Sequence, residues 1–242
     1  MSYPLKYSQY NYCSILIEWP TIIDENMLQD ILLFKKTIKN KRVESKVEVI
    51  NTYNSLLIIY NSTIDNVNDK ISTLKSLYFD RNLKSVVDSN LWEIPVCYSD
   101  EFASDIRSFS KEKNIPTSEI INLHTSAIYN IFFIGFLPGF LYLGGLNSKL
   151  YLDRKISPNL NVKKGSVGIG GKQTGIYPQN SPGGWHIIGR SPIDFFNPKE
   201  NPPCKMKAGD KVKFSSIPTE EYNEIVSRIN NSDFQLKPVS VS

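Results

Sequence analysis

The stretch FIGFLPGFLYLGGL, from Phe133 to Leu146, decides how the second half of the chain folds. It lies inside a longer segment, residues 125–148, that contains no charged side chain. Its strongly apolar part is shorter than the roughly 20 residues that a membrane-spanning helix needs. Proline and glycine also interrupt it, and both disfavour a continuous helix. We therefore predict a buried strand, a turn at Leu137–Gly139 and a second strand, within a soluble protein.

The glycines and prolines around this stretch divide the chain. All 13 glycines lie at or after Gly135, and 10 of the 14 prolines follow the same point. Short apolar runs between glycine and proline turns are typical of an antiparallel β-barrel or sandwich. We predict such a mainly-β domain over residues 91–242, preceded by a small α+β domain over residues 1–90.

Hydrophobic spacing predicts the elements of the first domain. Tyr12–Glu18 has the composition of a strand, and Asp24 can cap a helix whose apolar residues from Met27 to Ile38 keep helical spacing. Two further strands and a second helix follow, giving the order β-α-β-β-α. With a final strand near Leu91–Cys97, this order predicts a ferredoxin-like arrangement.

Composition excludes several classes of protein. The 28 basic and 24 acidic residues are spread along the chain, so no basic patch indicates nucleic-acid binding. Three distant cysteines, Cys13, Cys97 and Cys204, predict free thiols in a reducing compartment rather than a disulfide framework. The N-terminal residues lack the pattern of a secretory signal. We therefore expect a cytoplasmic protein that binds neither nucleic acid nor membrane.

The glycine-rich stretch GSVGIGGKQTGIYP, Gly165–Pro178, is not a nucleotide loop. A Walker A motif would need glycine at Ser166 and a hydroxyl residue at Gln173, and a dinucleotide fingerprint would need a small residue at Gln173. These glycines instead indicate backbone geometry, such as bulges or the close approach of a ligand to the main chain.

No catalytic or metal constellation can be read from the residues alone. The chain has two histidines, His124 and His186, without a nearby thiol cluster, which argues against a zinc site. His124 is either a structural helix residue or a base, and the structural alternative is the stronger. Cys97 could pair with His124, but a small buried cysteine is the simpler interpretation.

A set of polar residues nevertheless lies among apolar, turn-rich segments of the second domain. Its members are Arg154, Gln173, Thr174, Tyr177, Ser181, Trp185 and Arg190. This mixture is typical of a concave, mostly apolar site with a few placed donors. Arginine and amide side chains suit a carboxylate or carboxamide ligand. The residues alone therefore predict a β domain that binds a small molecule or peptide.

Residue identity adds a resemblance. The run Phe133–Leu146 resembles the G-F-x-P-G-F-x-Y-L signature of the KipI / allophanate hydrolase subunit 1 family, which includes the B subunit of 5-oxoprolinase. Further matches to that family cover about half the chain in order: IPVCY at 94–98, LHTS at 123–126, the stretch 165–178, SPGGWHIIGRSP at 181–192 and AGDKVKF at 208–214.

The resemblance implies a fold and a partnership. It implies that the second domain is a cyclophilin-like β-barrel. It also implies a hydrolase subunit that acts with 5-oxoprolinase subunits C and A to open 5-oxoproline to glutamate, with ATP as cosubstrate of the complex. From the residues themselves, no metal site is readable in this chain. The alternatives within the family are an inhibitor of a sensor histidine kinase, as in KipI, and a subunit related to allophanate hydrolase.

We assign roles to the matched residues as expectations. His124 and Arg190 are the catalytic candidates, and Arg154, Gln173 and Tyr177 the substrate-binding ones; we expect His124, Gln173, Tyr177 and Arg190 to converge on one concave face. Leu137, Pro138 and Phe140 are expected to bind a partner, because a turn of this kind presents apolar side chains outward. One departure is visible: Asn159 stands where the family usually has a second arginine.

Overall fold

A computed structural model describes residues 3–41, 47–82 and 88–239. The chain divides into two units, Met1–Asp88 and Ser89–Ser242. The boundary that we predicted from the sequence, between residues 90 and 91, lies two residues further along the chain.

The first unit is a four-stranded antiparallel sheet with two helices. Its elements are β1 (Lys6–Asn11), β2 (Ser14–Glu18), α1 (Glu25–Asn40), β3 (Val47–Asn51), β4 (Ser55–Tyr60) and α2 (Val67–Phe79). The strand order in the sheet is β1-β2-β4-β3. The side chains of β4 alternate between buried and half-buried, as expected for a strand with one face on the core. The predicted cap is confirmed, since the Asp24 side chain accepts a hydrogen bond from Met27 N at the start of α1.

A buried polar network joins the two helices of this unit to the residue that follows β2. The Asp30 carboxylate accepts hydrogen bonds from Trp19 Nε1 at 2.8 Å and from the Tyr78 hydroxyl at 2.7 Å. The Arg81 guanidinium pairs with the same carboxylate and lies 3.5 Å from the centre of the Tyr78 ring. All four side chains are buried, so these donors stabilise the carboxylate in place of water.

The second unit contains nine strands and three α-helices among the described residues. They are β5 (Leu91–Val96), α3 (Ile106–Lys113), α4 (Thr117–Thr125), β6 (Ile128–Ile134), β7 (Leu141–Gly144), β8 (Asn159–Val162), β9 (Ser166–Gly170), β10 (Gln173–Ile176), β11 (Ser181–Gly183), β12 (His186–Arg190), β13 (Lys211–Ser216) and α5 (Thr219–Asn230). Seven strands form one sheet in the order β12-β9-β10-β7-β6-β13-β5, and β8 pairs with β11. The predicted strand, turn and strand around Leu137–Gly139 are confirmed as β6 and β7.

The seven-stranded sheet curls until its two edges meet. β12 and β5 are the edge strands, yet Cys97, directly after β5, exchanges two backbone hydrogen bonds with Arg190 at the end of β12. These bonds, Cys97 N to Arg190 O at 2.8 Å and Arg190 N to Cys97 O at 2.9 Å, hold the curl closed at this end. The core of the unit lies inside the curl, around Ile131, Leu141 and Ile169.

One prediction of local structure is corrected. The strand near Leu91–Cys97 exists, but it pairs in parallel with β13 in the second unit and does not complete a ferredoxin-like sheet in the first. The error arises because the partner of this strand is distant in sequence.

The Asp30 network generates the first prediction. Replacing Asp30 with Asn removes the buried charge that faces Arg81, and breaking a buried pair from one side costs about 3–5 kcal/mol of unfolding free energy. The matched control is Asp194→Asn, which removes a surface pair with Lys164 whose side chains are 47% and 51% exposed; that change should cost less than about 1 kcal/mol. Urea unfolding followed by total tryptophan fluorescence, to which both units contribute, measures both variants, and equal stability of the two would contradict the assignment.

Candidate functional site

The site is on the outer face of the curled sheet. Side chains of a strand alternate between its faces, so β10 points Thr174 inward, where it is fully buried, and Gln173 and Gly175 outward. On the neighbouring strand β7, Tyr142 lies opposite Gly175 and shares its outer face. Because Gly175 and Gly168, its paired residue on β9, have no side chains, the outer surface of the sheet is open there for other groups to lie against it.

The indole of Trp185 occupies that open surface. A Cβ atom added to Gly170 would lie 2.4 Å from Trp185 Cδ1, one added to Gly175 would lie 2.9 Å from Cζ3, and one added to Gly168 would lie 3.1 Å from Cβ. The first two distances are too short for any side chain and the third is tight, so the indole rests on the backbone of Gly170 and Gly175 while Trp185 Cβ lies against Gly168. We call Gly168, Gly170 and Gly175 the glycine platform. The close approach of Trp185 to this platform explains why the stretch Gly165–Pro178 is rich in glycine although it is not a nucleotide loop.

Aromatic rings surround the indole and form a cavity of about 370 Å³. Phe140 contacts Tyr142, Tyr177 and Trp185 with ring centres 4.8, 5.0 and 5.4 Å apart, the last two edge to face. This geometry is the favoured one for aromatic pairs. The residues that line the space, called the aromatic cavity below, are Phe136, Phe140, Tyr142, Arg154, Pro158, Tyr177, Pro182, Gly183, Gly184 and Trp185.

Arg154 is the one charged residue in this lining. Its guanidinium carbon lies 5.8 Å from the Trp185 ring centre, in the range of a cation–π contact. Tyr177 is buried, and burial raises the pKa of its hydroxyl to about 12, so the group is a neutral donor near pH 7. Burial also raises the pKa of Tyr142, against a smaller opposing effect of Arg154. The cavity thus combines apolar walls, neutral hydroxyls and one fixed cation at its edge.

A match to a protein family identifies the family of this chain. A family model described as carboxyltransferase domain, subdomain C and D, matches residues 5–206. The chain belongs to this family. The aromatic cavity lies entirely within the matched residues.

Relatives and solved structures support the assignment. The chain is similar to the B subunit of 5-oxoprolinase from Bacillus subtilis, 44% identical over 57% of each chain, and to that from Escherichia coli O157:H7, 35% identical over 72% of this chain and 79% of that protein. The predicted resemblance to the B subunit of 5-oxoprolinase is thereby confirmed. The crystal structure of the Kluyveromyces lactis urea amidolyase shares the fold, with 20% identity and a TM-score of 0.83 over 98% of this chain and 16% of that one. The chain spans slightly over half the length of its Bacillus subtilis relative.

Of the predicted site residues, the structure brings Arg154, Tyr177 and Phe140 together in this family member. Gln173 points to the same side of β10 as Gly175 but does not line the cavity. Its Oε1 atom is buried and has no hydrogen-bond partner among the described residues.

His124 does not reach the cavity, because it lies inside the curl. It is 0% exposed, stacks on Phe214 with ring centres 4.5 Å apart, and bonds to two hydroxyls. Thr174 donates to Gly168 O, so it accepts from His124 Nε2 at 3.0 Å, and Tyr98 then donates to Nδ1 at 2.7 Å. Burial lowers the pKa of His124 to about 3. The imidazole is therefore neutral and separated from the outer face by the sheet.

Arg190 also lies away from the cavity, at the closure of the sheet. Its guanidinium carbon is 5.3 Å from the Phe102 ring centre, and its backbone forms the two bonds to Cys97. The structure therefore does not show the predicted convergence of four residues on one concave face. Those residues are His124, Gln173, Tyr177 and Arg190. Tyr177 alone among those four lines the aromatic cavity.

Sequence reasoning missed Tyr142 and the cavity role of Phe136. Phe136 has φ of 65° and is 64% exposed, and an aromatic residue held in the left-handed region costs roughly 1–2 kcal/mol. The turn presents Phe136 and Pro138 outward, keeps Leu137 half-buried and buries Phe140 in the cavity wall. The alternation of Gly168, Gly170 and Gly175 was the available signal, since it marks one face of two paired strands without side chains.

Metal clusters and membrane-spanning helices are not found in the described residues. No group of three or more His, Cys, Asp or Glu side chains among them is placed to hold a metal ion. In the same part of the chain, no helix has the length and apolarity required to cross a bilayer.

The glycine platform generates a prediction. Gly170→Ala places a methyl group against the indole, so Trp185 must move; we expect a loss of about 1–3 kcal/mol of stability from overpacking and a changed near-ultraviolet circular dichroism signal. Gly184→Ala is the matched control, because its added Cβ meets its nearest atoms at 3.7–3.9 Å, ordinary contact distances. Comparable spectra and stability for the two variants would show that the platform is not needed.

The buried imidazole gives a pH prediction. The pKa of His124 falls from an ordinary 6.5 to about 3 on folding. Between these values the unfolded chain binds a proton that the folded chain does not. Stability is therefore lost as pH falls through this window, by up to about 1.4 kcal/mol per pH unit. In His124→Gln the unfolding free energy should fall less steeply between pH 6.5 and 3. Parallel curves for the two proteins would contradict the assigned cause.

Proposed function

We propose that this chain is the B subunit of an ATP-dependent 5-oxoprolinase complex that hydrolyses 5-oxoproline to glutamate. Family membership and two relatives of that name, at 44% and 35% identity, support the proposal. The kinase-inhibitor and allophanate alternatives are not favoured by these relatives. The complex acts in the cytoplasm with 5-oxoprolinase subunits C and A.

The aromatic cavity, with Arg154 at its edge, is the observation that carries a ligand-binding role. 5-Oxoproline is a small five-membered lactam with one carboxylate. Its ring fits apolar and aromatic walls, while a guanidinium binds a carboxylate through two parallel hydrogen bonds. The hydroxyl of Tyr177 remains protonated near neutral pH and can donate to the lactam oxygen. Arg154 and Tyr177 are thus the substrate-binding residues, and Gln173 borders the site from the same face.

The reaction divides the work between the members of the complex. Transfer of the terminal phosphoryl group of ATP to the lactam oxygen releases ADP and makes the lactam carbon a better electrophile. Attack of water on that carbon then breaks the C–N bond and releases phosphate together with glutamate. His124 is neutral and enclosed, and Arg190 lies at the sheet closure. Neither touches the cavity, so catalysis by this chain requires groups from a partner. Binding of ATP is assigned to the complex and not to a residue of this chain.

The turn beside the cavity supports a docking role. We infer that the second unit is a cyclophilin-like barrel, because a curled seven-stranded sheet closes on itself at Cys97 and Arg190. On this barrel Phe136 and Pro138 are exposed and Leu137 is half-buried. These side chains form the surface that binds the C subunit. Phe140, predicted to dock as well, belongs to the cavity wall.

Reconstitution tests the function. Purified chain should show neither 5-oxoproline-dependent glutamate formation nor ATP hydrolysis. Addition of the C and A subunits from the same genome should produce both, with one glutamate formed per ATP consumed if the steps are coupled. Phe136→Asp should prevent co-elution with the C subunit on size exclusion without unfolding the chain, and the exposed Tyr12→Asp in the first unit serves as control. Turnover by the chain alone, or an inactive complete mixture, would overturn the proposal.

A further inference from the structure

Arg154, the cation at the edge of the aromatic cavity, lies between two residues that are both hydrogen-bonded to the segment around Trp185. Arg154 is exposed and makes no ion pair within the described part of the chain. Its side chain is restrained there by the contact with Trp185. Its two sequence neighbours, in contrast, bind the two sequence neighbours of Trp185. His186 Nε2 lies 2.9 Å from Asp153 O, and Lys155 N donates to Gly184 O at 2.7 Å.

This pairing puts three residues in register with three others. Asp153 lies against His186, Arg154 against Trp185 and Lys155 against Gly184, so the two segments run antiparallel. Since the indole rests on the glycine platform, the register fixes Arg154 relative to the cavity floor.

An ion pair then secures the register. Lys155 Nζ lies 2.7 Å from Asp105 Oδ2, with the two side chains only 22% and 15% exposed. The same Asp105 oxygen accepts a hydrogen bond from Ile187 N at 2.7 Å, and Asp105 N donates to Ile187 O at 2.9 Å. Asp105 thus connects the segment that carries Arg154 to the strand that follows Trp185. A partly buried pair of this kind holds a geometry better than a surface pair does.

We propose that Asp105 and Lys155 are positioning residues, which hold Arg154 over Trp185 and thereby set the preference of the cavity for a ligand that carries a carboxylate. The inference rests on the proposed function of the cavity. It deepens that function by naming what makes an exposed arginine a fixed donor: an unbraced side chain would lose more rotamer entropy on binding, which weakens the contact.

The first test needs no ligand. The side-chain Nε–Hε resonance of Arg154, identified by its loss in Arg154→Ala, should be shifted by the ring current of Trp185. In Asp105→Asn and Lys155→Met it should move to the position of a freely rotating arginine, while Lys155→Arg, which keeps the cation, retains the native shift. Lys149→Met, which removes a surface pair with Glu119, is the matched control and should change nothing. An unaltered Arg154 resonance in Asp105→Asn and Lys155→Met would overturn the proposal.

The second test separates positioning from general stability. 5-Oxoproline and its uncharged analogue 2-pyrrolidinone are titrated against the full chain, with Trp185 fluorescence as the readout and Trp185→Phe to assign the signal. Lys155→Met and Asp105→Asn should weaken 5-oxoproline binding on the order of tenfold, about 1.4 kcal/mol, and leave 2-pyrrolidinone binding unchanged. Equal weakening of both ligands, or of neither, would overturn the positioning role.

The two proposals fail in different ways. If Arg154→Ala binds 5-oxoproline as well as the native chain does, or if the native chain does not bind it, Arg154 is not the carboxylate donor and the proposed site is wrong. In that case the Arg154 resonance still decides whether Asp105 and Lys155 fix the side chain. If Arg154→Ala binds weakly but Lys155→Met binds normally, the site stands and the positioning role is wrong.

Discussion

The contact between the Trp185 side chain and the glycine platform is the constraint on which the outer face of this sheet depends. No side chain would fit between the ring and the backbone at Gly170 or Gly175, and Gly168 lies close to Trp185 Cβ. The ring therefore lies flat against two strands, and Phe140, Tyr142 and Tyr177 pack around it. This contact fixes the indole, which is the floor of the cavity and the surface against which the rings of its walls pack.

Opposite faces of the same strands carry opposite chemistry. Inside the curl, Thr174 joins His124 and Tyr98 in a fully enclosed chain of hydrogen bonds, in which every donor has an acceptor. Outside, one residue further along β10, Gly175 opens the surface to a cavity. The inner chain specifies how the helix before β6 packs against the sheet, and it does so with polar groups that are satisfied and therefore not costly to bury. His124 therefore has a structural role in this fold.

Local sequence patterns predicted the local features well. The Asp24 cap and the strands on either side of Leu137–Gly139 follow from spacing and turn chemistry within a few residues. The strand Leu91–Val96 was found, but its sheet was not, since its partner β13 is distant in the chain. β1 was missed because Lys6–Asn11 is mostly polar and exposed. Arg154 and Tyr177 were predicted for one site from residue type, whereas the inward direction of His124 depends on how α4 docks, which periodicity does not specify.

The parallel pairing of β5 with β13 has a consequence for the order in which the molecule forms. Those strands are the first and the last of the second unit, so its sheet is complete only after almost all of that unit has left the ribosome. The strands of the first unit pair with strands that are closer to them in sequence, so their sheet does not depend on a distant segment. Contacts between distant segments form slowly, because a long loop must close, at a cost in entropy, before those contacts stabilise the chain. We therefore expect the first unit to fold during synthesis and the apolar strands β6 and β7 to stay incompletely paired until β13 is made, which is when the nascent chain is most prone to aggregation.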